Sequence, residues 1–158
     1  MRTEIALWVV FTIIGVLIGM IAFILAITEE YIIQVKIFVT QHFMSMPHTP
    51  GALYTSFGFY VIYSMVVAGI AAALTVYVAP GATGSGIPEL MGYLNGVKYP
   101  KILSFKVLVI KVVGVILAVS GTLCIGKEGP LAHIGAIVAV LILYLPFKFF
   151  KQFQNDVR

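Results

Sequence analysis

Two long uncharged runs dominate the pattern of hydrophobic and polar positions along the chain. Residues 5–27 and residues 52–79 contain no charged side chain. About 20 apolar residues are enough for a helix to cross a hydrocarbon core of roughly 30 Å, so each run is predicted to form one membrane helix. The second run is longer than this minimum and is expected to tilt or protrude. A signal peptide is the rival interpretation of the first run, but its apolar length exceeds the usual stretch of about 7–15 residues.

The remaining chain alternates shorter apolar runs with stretches that interrupt helices. The segment that follows the first run carries charged and histidine side chains and is predicted to be a loop, in which "YIIQVKIFV" could continue the helix. A glycine- and proline-rich stretch begins at Pro80, so only a short helix is expected there. The predicted elements after the first helix are a loop over 28–51, a membrane helix over 52–79, a short broken helix over 86–96, a membrane helix over 104–125, a broken helix over 129–147 and a basic tail over 148–158.

Composition supports a membrane protein of the all-α class. Hydrophobic residues make up 61% of the chain and charged residues only 10%, against roughly 45–50% and 25% in soluble domains. We therefore predict a single partial transmembrane domain, a polytopic integral membrane protein with long tilted helices and broken half-helices. The net charge is +4, but the basic residues are spread along the chain without a basic run, so no nucleic-acid partner is expected. The excess of lysine and arginine on one side favours a cytosolic N-terminus.

Two interrupted segments share one design, "GSGIPE" at 84–89 and "GKEGP" at 126–130. In each, glycines precede a proline that is tolerated in the first helical turn, which leaves free N–H groups at a helix N-terminus. Unpaired N–H groups at membrane depth survive only where they line a polar site, and a helix N-terminus binds anions. We predict an anion pathway here. The predicted anion-binding residues are Ser85, Gly86, Ile87 and Gly129.

Glu128 is predicted to act as the gate of this pathway. Its carboxylate stands where a second anion would bind, so it can occupy that position itself and leave when it is protonated or displaced. The alternatives are that the two breaks are simple kinks, or that Glu128 only pairs with Lys127. A nucleotide-binding loop is disfavoured, because "GATGSG" is not followed by Gly-Lys-Ser/Thr.

Several isolated polar residues have a structural interpretation beside a functional one. Lys111 is expected to extend to the cytosolic edge of the membrane in preference to lining a pore. His133 is expected to form a structural hydrogen bond in preference to relaying protons, and Glu89 to neutralise the N-terminus of its own helix. His42 and His48 are expected to be solvated loop side chains and not metal ligands, since no third ligand is near.

At these residues the chain resembles the CLC family of chloride channels and chloride/proton exchangers. "GSGIPE" and "GKEGP" are similar to two signature motifs of that family, in the correct order and with a membrane run between them. "YLNGVK" and "GKEGPLAH" resemble the lysosomal and vacuolar branch, which implies an endomembrane location.

The resemblance implies voltage-gated chloride transport and not an enzymatic activity. It implies that Ser85 is the central chloride-binding serine and that Glu128 is the gating glutamate. It also implies a homodimer in membrane lipid, each subunit with its own pore, and no cofactor beyond the transported chloride and, for an exchanger, protons. The matching residues cover part of the first of two inverted repeats. The alternative is therefore a non-conducting, truncated membrane protein that acts only by association with a partner subunit.

Overall fold

The computed structural model describes residues 2–45, 51–99 and 101–144, and these residues form five α-helices and no β-strand. The all-α prediction is confirmed. The helices are α1 (Arg2–Met44), α2 (Ala52–Ala73), α3 (Ile87–Leu94), α4 (Phe105–Ser120) and α5 (Glu128–Leu143). The predicted tail over 148–158 lies outside the described residues.

Helix α1 is much longer than the sequence pattern indicated. It runs for 43 residues, roughly 64 Å at 1.5 Å per residue. The predicted loop over 28–51 is therefore wrong as far as Met44. No glycine or proline lies between Met20 and Met44 to stop the helix. The charged residues of this stretch suggested a loop, but two of them, Glu29 and Lys36, are buried against neighbouring helices. His42 is in the last helical turn and not in a loop, while His48 lies outside the described residues.

Helix α2 continues beyond Ala73 as a π-helical turn, Leu74–Val78, and a 3₁₀ turn follows at Pro80–Ala82. The Thr75 hydroxyl donates to the backbone carbonyls of Ala71 and Ala72 at 3.1 and 2.9 Å, a pattern that often bends helices. Among the described residues, two helical segments are long and apolar enough to cross a membrane, Leu7–Met44 and Ala52–Val78.

Helices α3 and α4 are shorter than predicted. Helix α4 ends at Ser120 and not at residue 125, because the chain turns at Gly121 and at Thr122, whose φ of 62° lies in the left-handed region. With 16 residues, α4 extends about 24 Å, less than a bilayer core. Helix α5 starts one residue earlier than predicted, at Glu128, and its described part ends at Leu143.

Helix α5 packs against α1, α3 and α4. One buried cluster joins α1 to α5 through Val10, Ile134, Val138 and Ile142. A methyl group added at Gly135 of α5 would lie 3.1 Å from Ile18 Cδ1 of α1. Gly15 and Gly19 of α1 face open space, since nothing lies within 4 Å of a methyl group built at either glycine.

Large apolar side chains on the outer surface of α1 and α2 remain exposed. Trp8 and Tyr54 are 71% and 78% exposed. A surface of this kind suits lipid acyl chains as the surrounding solvent. The fold therefore buries much of α5 against α1 and α4, while Ser85 and Glu128 at the two breaks remain exposed.

Candidate functional site

The loop before α3 holds Ser85 between two glycines in left-handed conformations. Gly84 and Gly86 have φ angles of 65° and 78°, which favour glycine. Pro88 follows in the first turn of α3, where its missing N–H costs little. The Ile87 N–H donates to Ser85 Oγ at 3.3 Å. Because the hydroxyl accepts this bond, its own hydrogen is free to be donated elsewhere.

The two glycine–proline helix breaks, at residues 84–89 and 126–130, are packed directly against each other. A methyl group added at Gly129 of α5 would lie 2.7 Å from Ser85 Cβ and 3.6 Å from Ile87 Cδ1. A methyl group added at Gly86 would overlap the His133 ring of α5. Carbon atoms in contact are normally 3.5–4.0 Å apart or slightly less, so neither glycine leaves room for a side chain. The structure thus brings together four of the five predicted site residues, Ser85, Gly86, Ile87 and Gly129.

Both breaks also line one cavity of about 430 Å³. Part of its wall consists of small residues from α2 and α4, namely Ala68, Ala71, Ala72, Gly114 and Ala118. Its polar lining comes from hydroxyl groups and one lysine, Lys111. The lining residues from the two breaks are Gly84, Ser85, Gly126 and Pro130.

Lys111 does not extend to the edge of the membrane as predicted. Its side chain is 1% exposed, and its ammonium group donates to the backbone carbonyls of Ala82 and Gly84 at 3.3 and 3.1 Å. These carbonyls belong to the irregular loop before Ser85 and need donors that the loop itself does not supply. Lys111 therefore anchors the Ser85 loop and contributes a positive charge to the cavity wall.

His133, which was predicted to form a structural hydrogen bond, is fully buried. Neither ring nitrogen meets hydrogen-bond geometry with a group in the described part of the chain, although the backbone of Ile102 lies close enough to interact with the ring. The ring instead fills the space above Gly86. Glu89, in the first turn of α3, also has a buried carboxylate oxygen without a partner among the described residues.

Glu128 is exposed and is the first residue of α5. It does not itself line the cavity, but its carboxylate folds back toward Gly126, which does. A methyl group at Gly126 would lie 3.2 Å from Glu128 Oε2. Lys127 forms an ion pair with Glu29 of α1, at 2.8 Å between Nζ and Oε1. The carboxylate of Glu128 is therefore not held by the adjacent ammonium group.

Comparison with known proteins identifies the family. Residues 67–158, more than half of the chain, match the model of the voltage gated chloride channels. The chain belongs to the voltage-gated chloride channel family. The membrane fold predicted from composition and the motifs at 84–89 and 126–130 agree with this membership.

Similar proteins within the family come from plants, animals and an amoeba. The chain is 36% identical over 156 residues to the putative chloride channel-like protein CLC-g of Arabidopsis thaliana, with 94% of this chain and 20% of that protein covered. It is 36% identical over 160 residues to the H(+)/Cl(-) exchange transporter 7 of Homo sapiens, with 97% and 20% covered. It is 38% identical over 160 residues to chloride channel protein D of Dictyostelium discoideum, with 97% and 16% covered. The chain spans about one fifth of the length of these curated relatives.

Two polar residues near the site, Glu29 and Lys36, were not predicted from the sequence to have a role. Both are buried, at 6% and 1% exposure. The Lys36 ammonium donates to the Ser120 carbonyl at 3.0 Å and lies 4.6 Å from the centre of the Tyr60 ring. Their spacing could have indicated their role, because ionisable residues seven apart lie on the same face of a helix. Such residues are energetically costly in a membrane unless they have partners inside the protein.

Proposed function

We propose that this chain forms part of a chloride pathway in which the ion is held where α3 and α5 begin. The observation that carries this proposal is the contact of Gly129 with Ser85, at a point where both breaks border the same cavity. Two helix N-termini that meet at one position bring two sets of free N–H groups and two partial positive charges toward the same small volume.

The groups around this position suit a small anion. Ser85 supplies a hydroxyl donor whose oxygen is already engaged by the Ile87 N–H. The backbone N–H groups of Gly86 and Gly129 add donors, and the buried Lys111 ammonium adds a full positive charge to the cavity wall. Alanine and glycine residues of α2 and α4 in the wall leave space for the ion. Chloride is the substrate we propose, since relatives of this chain are named as chloride channels and H(+)/Cl(-) exchangers.

Glu128 is proposed as the gate. The carboxylate is at the start of α5, folded toward Gly126 at the edge of the cavity. While ionised, it can take the position of a second anion near the helix N-terminus. Protonation or displacement by chloride would free that position. The same step would couple chloride movement to a proton in an exchanger and open the pathway in a channel.

The test uses the full-length protein that contains this chain, reconstituted and measured for chloride flux against voltage and pH. Glu128→Ala is expected to remove voltage gating and proton coupling while chloride flux persists. Glu30→Gln, an exposed carboxylate change on α1, serves as the control and is expected to behave as the unmodified protein. Unchanged voltage and pH dependence in Glu128→Ala would refute the gating role.

Ser85→Pro tests the anion ligand separately from the gate. The variant removes the hydroxyl donor and is expected to shift selectivity from chloride toward nitrate. Reversal potentials in mixed chloride and nitrate solutions measure this directly. Identical reversal potentials in the variant and the unmodified protein would count against Ser85 as a ligand.

A homodimer in an endomembrane is part of the proposal, as the motifs around Ser85 and Glu128 imply. A second candidate is a non-conducting membrane protein that acts by association with a partner subunit. Reconstitution of the 158-residue chain alone in liposomes separates the two. Absence of chloride efflux from correctly inserted chain supports association, while sustained efflux supports a self-sufficient pathway.

A further inference from the structure

Two buried charges on one face of α1 hold the two ends of the segment that connects α4 to α5. Glu29 and Lys36 are seven residues apart, two helical turns, so they lie on the same face. Lys36 contacts Ser120, the last residue of α4, and Glu29 contacts Lys127, the residue before α5. Residues 122–126 between these two attachment points are exposed.

The Lys36 attachment is favourable on electrostatic grounds. Ser120 is at the C-terminal end of α4, where the last carbonyl groups lack helical partners and carry partial negative charge. The ammonium also lies over the Tyr60 ring and 5.9 Å from the centre of the Tyr63 ring, both on α2. One lysine of α1 therefore joins α1, α2 and the end of α4.

The Glu29 attachment resolves an unfavourable arrangement at the start of α5. Lys127 is a cation at a helix N-terminus, where the partial positive charge of the helix opposes it. The carboxylate of the buried Glu29 side chain lies 2.8 Å from the Lys127 ammonium and neutralises it. The contact also directs the ammonium toward α1, so it does not bridge the carboxylate of Glu128, the next residue along the chain.

We propose that Glu29 is a positioning residue for the gate. Its ion pair with Lys127 fixes the backbone immediately before Glu128 and keeps the Lys127 ammonium away from the Glu128 carboxylate. Without the ion pair, the Lys127 ammonium can bind the Glu128 carboxylate. That contact would change the voltage and the proton concentration at which the carboxylate moves. This inference rests on the gating role of Glu128 in the proposed function.

The experiment compares Glu29→Gln with Glu30→Gln in the full-length protein. The first change removes the charge of a buried carboxylate with little change in shape. The second makes the same change one residue away on the exposed side of α1, where Glu30 accepts a hydrogen bond from Gln34 of the same helix. Chloride flux is recorded against voltage and pH. Glu29→Gln is expected to change the rate of gate opening by about fivefold or more, a common size for coupling between sites, while Glu30→Gln leaves it unchanged.

The same measurement in a Glu128→Ala background separates positioning from general support of the fold. If Glu29 acts through Glu128, Glu29→Gln has no further effect on voltage or pH dependence once Glu128 is absent. An effect of equal size in both backgrounds would overturn the proposal. Equal behaviour of Glu29→Gln and Glu30→Gln would also overturn it.

Lys127→Gln removes the other partner of the same ion pair. The Lys127 side chain is 41% exposed, so this variant tests the proposal if Glu29→Gln does not fold. It is expected to change gating, and an unaltered gate in that variant would overturn the proposal. Failure of the proposed function has a different signature, namely gating that survives Glu128→Ala itself.

Discussion

The contact between α3 and α5 at Gly129 allows the effect of a substitution on chloride affinity to be predicted. In Gly129→Ala the new methyl carbon would lie 2.7 Å from Ser85 Cβ, whereas carbon atoms in contact prefer about 3.5–4.0 Å. The two helix starts must separate by about 1 Å or carry the strain. Overpacking of this kind costs about 1–3 kcal/mol.

Movement apart would also remove a donor from the anion. A hydrogen bond to a charged group contributes about 1.5–3 kcal/mol, which is about 10- to 150-fold in affinity. We therefore expect Gly129→Ala to weaken chloride binding by at least tenfold, measured by titration calorimetry on the purified full-length protein. Gly19→Ala is the matched control, because nothing lies within 4 Å of a methyl group there, and its affinity is expected to stay within twofold.

A double variant distinguishes packing from ligand loss. Adding Ser85→Gly removes the Cβ that the new methyl group meets, so thermal stability is expected to recover relative to Gly129→Ala. Chloride binding is expected to remain weak, since the hydroxyl is absent. The reasoning is refuted if Gly129→Ala alone binds chloride as tightly as the unmodified protein while it elutes like the unmodified protein in size-exclusion chromatography.

Three further changes test other contacts of the site. Gly86→Ala both strains a left-handed φ of 78° and overlaps the His133 ring, so a loss of thermal stability larger than in Gly19→Ala is expected in a melting measurement. Lys111→Met leaves the carbonyls of Ala82 and Gly84 without their donor and removes the positive charge from the cavity, so weaker chloride binding by calorimetry is expected, and unchanged affinity would exclude an electrostatic role. Lys36→Met removes the attachment of α1 to the end of α4, and faster hydrogen exchange over residues 120–127 is expected, whereas identical exchange would contradict the attachment.

The features predictable from the sequence were those with a local cause. Long uncharged runs indicated apolar helices, and glycine followed by proline indicated where α3 and α5 begin. The extension of α1 to Met44 was missed, since isolated charges such as Glu29 and Lys36 indicate a loop unless their distant partners are known. Those partners, Lys127 and Ser120, are far away in the chain.

The same reason explains the error at Lys111 and why the packing of His133 was not predicted. Lys111 reaches carbonyl groups 27 and 29 residues earlier in the chain, and no spacing rule connects them. His133 fills the space above a glycine of another helix, so its role follows from packing and not from the helix on which it lies. The convergence of the two breaks is also a long-range contact, which the shared motif design indicated but did not determine.

Anomalous diffraction from crystals of the full-length protein with bromide in place of chloride tests the central claim most directly. The account predicts an anomalous peak within hydrogen-bonding distance of the Ser85 hydroxyl and of the N–H groups at the start of α5. The account would be contradicted if the protein transports bromide but the crystals show no anomalous peak between Ser85 and Gly129 and bromide is bound only elsewhere in the pathway.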